Sequence, residues 1–176
     1  MLIDPRYPIG PYVTEGYSED TKEKWLLDIR FLPELLEQSI QNLDAEQLHT
    51  PYREGGWTIH QVVHHLADSH MNAYIRFKLA YTEDHPTIKP YYEERWAVLQ
   101  DVETVPLNVS ITLLHALHQR WFFFMKDFDW DDWSNTFYHP EQQKDMNLWY
   151  ALGLYSWHGR HHVAHIQSLR EKMNWQ

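Results

Sequence analysis

The chain has 176 residues, the length of one domain with a sizeable core. Apolar residues make up 43% and aromatics 15%, which excludes a disordered chain, and a net charge of −10 disfavours partners with phosphate backbones or anionic lipid surfaces. Cysteine is absent, so disulfides, thiolate ligands and a cysteine nucleophile are excluded, and any metal must be held by nitrogen and oxygen.

The N-terminus, Met1-Leu2-Ile3-Asp4-Pro5-Arg6, lacks a basic stretch followed by an apolar core. The densest aromatic run, Trp121 to Met125, is far shorter than the roughly 20 residues of a membrane span. A cytoplasmic protein without membrane attachment is therefore expected. The first 17 residues, with Pro5, Pro8, Gly10, Pro11 and Gly16, read as an irregular lead-in. A helix is predicted from about Glu19 to Leu43, because Trp25, Ile29, Leu32, Leu36, Ile40 and Leu43 recur at steps of three and four. Pro33 lies inside it and should kink or restart it. Residues 44–57, with Pro51 and Gly55-Gly56, read as a connection.

Thr58 reads as the N-cap of a second long helix that ends near Tyr81 or Thr82. Residues 84–105 form a long aromatic loop with Tyr91, Tyr92 and Trp96. A third helix is predicted from Leu107 to Asp127, with Asn108 or Ser110 near its start. Residues 128–145 form a second aromatic connection, and a fourth helix runs from Asn147 to Met173. No alternating β-branched run or Asn-Gly turn is present. The fold class is therefore all-α, a single four-helix bundle over 1–176 with long connecting loops, and the 84–105 loop allows a connectivity other than simple up-and-down.

Histidine stands out at 13 residues, eight of them in two of these helices. His60, His64, His65 and His70 lie on the second; His158, His161, His162 and His165 lie on the fourth. In His161-x-x-x-His165 the rings stack one turn apart on one face, where two imidazoles can share a divalent ion. The zincin motif is absent, because His162 stands where its Glu would follow. A third ligand must come from another helix. His64 and His65 point about 100° apart. With His65 inward, the same face carries Gln61, Val62, Asp68 or Ser69, Asn72 and Arg76, a polar stripe suited to lining a site. With His64 inward, it carries His60, Ala67, Met71 and Ile75, which reads as ordinary core. We take His65 as ligand and Asp68 as the candidate proton-transfer group. Three nitrogen ligands suit Zn, Ni, Fe or Cu and leave positions open. Other motifs are excluded: G-x-S-x-G, G-x-G-x-x-G and the P-loop are missing, and the sole Glu-x-x-His, Glu46 to His49, lies in a connection. His139-Pro140 is a further loop candidate near the site.

Several segments resemble the YfiT branch of the DinB-like family: Tyr7-Pro8-Ile9-Gly10; Thr50-Pro51-Tyr52-Arg53-Glu54-Gly55-Gly56-Trp57-Thr58; Val62-Val63-His64-His65-Leu66-Ala67-Asp68-Ser69-His70-Met71-Asn72; Phe137-Tyr138-His139-Pro140; and Trp157-His158 with His161-His162-Val163-Ala164-His165. The resemblance spans nearly the whole chain and is thinnest over 84–135. It implies a four-helix bundle with one divalent ion per subunit, Zn or Ni, held by three histidines. Carried over by motif, these are His65, His161 and His165. It also implies a homodimer and a metal-dependent hydrolase acting on a small molecule through activated water.

Two other functions compete with hydrolysis. The wider family includes transferases that join low-molecular-weight thiols such as bacillithiol to electrophiles. In such a reaction the metal would activate the thiol, while Asn72 and Arg76 could hold an anionic thiol substrate. A non-catalytic metal-binding stress protein is the third reading, and it predicts a closed coordination sphere.

Overall fold

The computed structural model describes residues 4–175. Helix α1 spans Glu19–Ile40 and contains Pro33; the Ser18 side chain caps its start by accepting from the Thr21 amide. The helix ends three residues earlier than its apolar repeat predicts, because Asn42 takes a left-handed φ of 64°. A short α2, Ala45–Leu48, sits within the expected connection. Helix α3 spans Ile59–Thr82 and opens on a capping box in which Thr58 and Gln61 satisfy each other's backbone amides.

The 84–105 segment holds two short helices, α4 (Glu93–Trp96) and α5 (Gln100–Thr104). Helix α6, Leu107–Met125, starts after Pro106 without a side-chain cap, and Ser110 lies inside it. Residues 128–147 are more ordered than expected. They form α7 (Trp130–Ser134) and a hairpin of β1 (Thr136–His139) and β2 (Lys144–Asn147), with Phe137 opposite Met146. Strands of four residues are too short for an alternating pattern to stand out, and Gln143 supplies the left-handed turn residue that a glycine usually supplies. Helix α8, Leu148–Met173, is capped by Asn147 and ends at Asn174 in the left-handed conformation.

The four long helices form the bundle. Helix α1 packs on α6 and α8, and α3 packs on the same two helices. Consecutive long helices α1 and α3 therefore sit diagonally, as do α6 and α8, so the bundle is not simple up-and-down. Its core has two apolar parts. One gathers Trp25, Ile29, Phe77, Trp121 and Leu152 with the hairpin and α7. The other gathers Leu32, Leu36, Val62, Leu66, Leu114 and Val163. Along α3, α6 and α8 the residues between these two parts include His70, His118, His158 and His162, with His65 one turn away inside the second part. A histidine layer thus crosses the bundle at mid-height. Among the described residues no helix is long and apolar enough to cross a membrane.

Candidate metal centre

His65 and His64 are both buried, and they face different neighbours. Nδ1 of His64 lies 2.8 Å from the Ser110 hydroxyl on α6, whereas His65 faces α8. On α8, His158 and His162 are one turn apart and meet His65. One ring nitrogen from each of His65, His158 and His162 lies within 4.8 Å of the others. The Nε2 atoms of His65 and His158 are 3.4 Å apart. Nitrogens about 2.0–2.1 Å from a tetrahedral zinc lie about 3.3–3.4 Å from each other, so this edge already has the right length. Buried ring nitrogens without a hydrogen-bond partner among the described residues occur at His162 (Nδ1) and equally at His161 (Nδ1) and His165 (both nitrogens), so convergence, not the lack of a partner, marks the set. A divalent ion therefore fits the donor set.

Burial pushes the His65 imidazole down to about 4. His158 and His162 are lowered in the same direction, by burial first and then by the neighbouring rings. All three rings are thus neutral at pH 7, with lone pairs ready to donate.

The expected set of His65, His161 and His165 is not the one whose nitrogens converge. Only His65 belongs to the converging group. His161 and His165 stand three residues after His158 and His162, which turns them about 60° around the helix. His161 stacks on Trp157 at 4.3 Å between ring centroids, and His165 stacks on Tyr52 at 4.0 Å. They form a neighbouring pair, 4.2 Å between centroids.

Two cavities adjoin the cluster. The larger, about 550 Å³, is lined by Ser69, Arg76, Tyr91, Phe137, His139, Tyr155 and His158 among others. The smaller, about 340 Å³, is lined by Arg53, Trp57, His65, Trp157, His158, His161 and His162. His158, Glu93 and Glu94 line both. Of the expected pocket residues, Arg76 reaches the larger cavity, where it donates to the Tyr155 hydroxyl at 3.3 Å. Asn72 instead turns back on its own helix and donates to the Asp68 carbonyl at 2.8 Å.

Asp68 is half-buried, lines neither cavity, and has its pKa raised to about 6 by burial and then by Asp101. The carboxylates that line both cavities beside His158 are Glu93 and Glu94, in the aromatic loop, where no spacing or motif marks them in the sequence. Desolvation, then Glu94 and Glu141, raises the Glu93 pKa. His139 does line the larger cavity, carried there by the hairpin.

The family model for the DinB superfamily matches residues 29–166. A protein from Bacillus mycoides named "Putative metal-dependent hydrolase" is 53% identical over 175 residues, covering 99% of this chain and 100% of the relative. A Bacillus cereus protein of the same name is 51% identical over the same span. The solved structure of YfiT from Bacillus subtilis, described as a probable metal-dependent hydrolase with an unusual four-helix bundle topology, superposes with a TM-score of 0.94 at 46% identity. It covers 98% of this chain and 99% of that one.

Proposed function

This chain belongs to the DinB superfamily, and on that premise we propose that it is a metal-dependent hydrolase whose divalent ion, zinc or nickel, is held by His65, His158 and His162. The observation that carries the reading is the convergence of three neutral imidazole nitrogens where two cavities meet. His65, His158 and His162 would hold a divalent ion that, when bound, would supply Lewis-acid polarisation of a carbonyl oxygen and a more acidic water. Three protein donors, rather than four, are the number that catalytic sites of this kind supply.

The protein's own residues supply the rest. Glu93, which lines both cavities beside His158 together with Glu94 and whose carboxyl burial holds above the usual range, would take up a proton released from water there. Arg76, steadied by Tyr155, holds an electronegative group of a small-molecule substrate in the larger cavity. Tyr91, Phe137 and Tyr155 give that cavity an apolar wall that excludes water from the substrate.

Elemental analysis and zinc titration of single variants test the ligand set. His158→Ala and His162→Ala should lose the ion, while His161→Ala and His165→Ala should keep it. Full stoichiometry in His162→Ala with loss in His161→Ala would move the site to the other pair. An ester, amide and lactone screen on the loaded protein, run with and without added low-molecular-weight thiols, tests the reaction. Turnover that requires a thiol, with no hydrolysis, would refute the hydrolase assignment.

A further inference from the structure

We propose that a buried relay, from the Ile29 carbonyl through His118 and His70, selects the tautomer of His158 and points its lone pair at the three-histidine cluster. The relay begins with Pro33. Proline has no amide hydrogen, so the carbonyl four residues earlier, that of Ile29, loses its helical donor. Nδ1 of His118, on α6, lies within hydrogen-bond distance of that oxygen. Nε2 of His118 lies 2.9 Å from Nδ1 of His70. Nε2 of His70 lies 3.1 Å from Nδ1 of His158. Nε2 of His158 is the atom that faces Nε2 of His65.

Hydrogen-bond logic then leaves one arrangement. A carbonyl only accepts, so His118 carries its proton on Nδ1 and donates it. A neutral imidazole has one proton, so Nε2 of His118 accepts from Nδ1 of His70. Nε2 of His70 accepts in turn from Nδ1 of His158. The only unprotonated nitrogen left on His158 is Nε2. The rings are held neutral because His118 and His70 are fully buried and, among the described residues, no carboxylate hydrogen-bonds to any of the three. His118 and His70 are positioning residues, acting on the site through His158. The relay rests on the metal-site reading only in its last step, the use of that lone pair by a cation.

Long-range proton–nitrogen correlation spectra of histidine-labelled, metal-free protein at pH 7.5 read the tautomers directly. His118, His70 and His158 should all be protonated on Nδ1. A wild-type His70 or His158 protonated on Nε2 would overturn the relay, whatever the protein's zinc affinity. Two variants read its consequence. His118→Leu removes the anchor, so His158 should shift toward Nε2 protonation and zinc should bind about 10- to 100-fold more weakly. His118→Gln can still donate to the carbonyl and accept from His70, so it should keep zinc affinity near wild type. Equal losses in the two variants would assign the effect to packing and refute the relay. Should His118→Leu fail to fold, the wild-type spectrum still decides. Correct tautomers in a wild-type protein that binds no zinc would refute the proposed metal site and leave the relay standing.

Discussion

Acid should destabilise the metal-free protein through His118, by an amount that can be worked out. Burial pushes this imidazole down to about 4, against about 6.5 in an unfolded chain. Above pH 6.5 both states are neutral and the ring costs nothing. As pH falls from 6.5 toward 4 the unfolded state takes a proton that the folded state refuses, so stability drops with pH, and below 4 the loss levels off. At pH 5 the gap spans about 1.5 pH units, which at about 1.4 kcal/mol per unit is about 2 kcal/mol. Replacing His118 by Gln removes the titration while keeping a donor for the Ile29 carbonyl and an acceptor for His70. Urea unfolding of metal-stripped wild type and His118→Gln at pH 7.5 and 5.0 measures the effect. The buried histidines that do not touch His118 titrate in both proteins and cancel in the comparison, while His70, whose ring His118 also holds down, changes in the same direction as the removed group. The variant should lose less stability on acidification by about 2 kcal/mol. Equal losses in the two proteins, within about 0.5 kcal/mol, would refute the argument.

A Cβ at Gly159 would lie 2.7 and 2.8 Å from the methyl groups of Leu32, which is itself 2% exposed. Gly159→Ala should therefore destabilise the α1–α8 contact by about 1–2 kcal/mol despite better helix propensity, and much less on a Leu32→Ala background, as a double-mutant cycle by denaturation would report. Asp68 has its pKa raised to about 6, so the folded state holds its proton more tightly than the unfolded state, and ionisation costs stability as pH rises from about 4 to 6. Asp68→Asn should then melt higher than wild type at pH 7.5, with a smaller difference at pH 4.5. Glu93→Gln should lower hydrolytic kcat by about 100-fold or more while zinc titration stays unchanged, and parallel losses in both would make Glu93 structural.

The long helices were legible because each buries one face, and burial writes a 3.6-residue period into the sequence. Trp25, Ile29, Leu32 and Leu36 carry that period on α1, and all four are buried. The four-residue strands of the hairpin were not legible, because they owe their pairing to partners outside their own segment. The Ile88 amide donates to the Tyr138 carbonyl, and the Tyr138 amide donates to the Pro86 carbonyl. Pro33 was legible as a break in the hydrogen-bonding of α1. What that break does depends on His118, 85 positions later in the chain (118 − 33), which is a matter of packing between α1 and α6.

The two candidate histidine pairs on α8 mark where spacing stops being informative. His158 with His162 and His161 with His165 have the same four-residue interval, so the interval cannot rank them. What ranks them is the rotation of α8 about its axis, and residues far from any metal set that rotation. Gly153 brings α8 against Trp25, and Gly159 brings it against Leu32. Between them the Ser156 hydroxyl donates to the Asp28 carboxylate, which also pairs with Arg160. A Cβ at Gly153 would press on the Trp25 ring and the Tyr12 hydroxyl and one at Gly159 on Leu32, so close packing at both glycines holds this face of α8 against α1. With it pinned there, His158 and His162 turn toward His65 on α3, and His161 and His165 turn toward Trp157 and Tyr52. The glycines and Asp28 therefore carry information about the site that no histidine in the chain carries. A change that rotates α8 by about 60°, the offset between the two pairs, would exchange one candidate pair for the other.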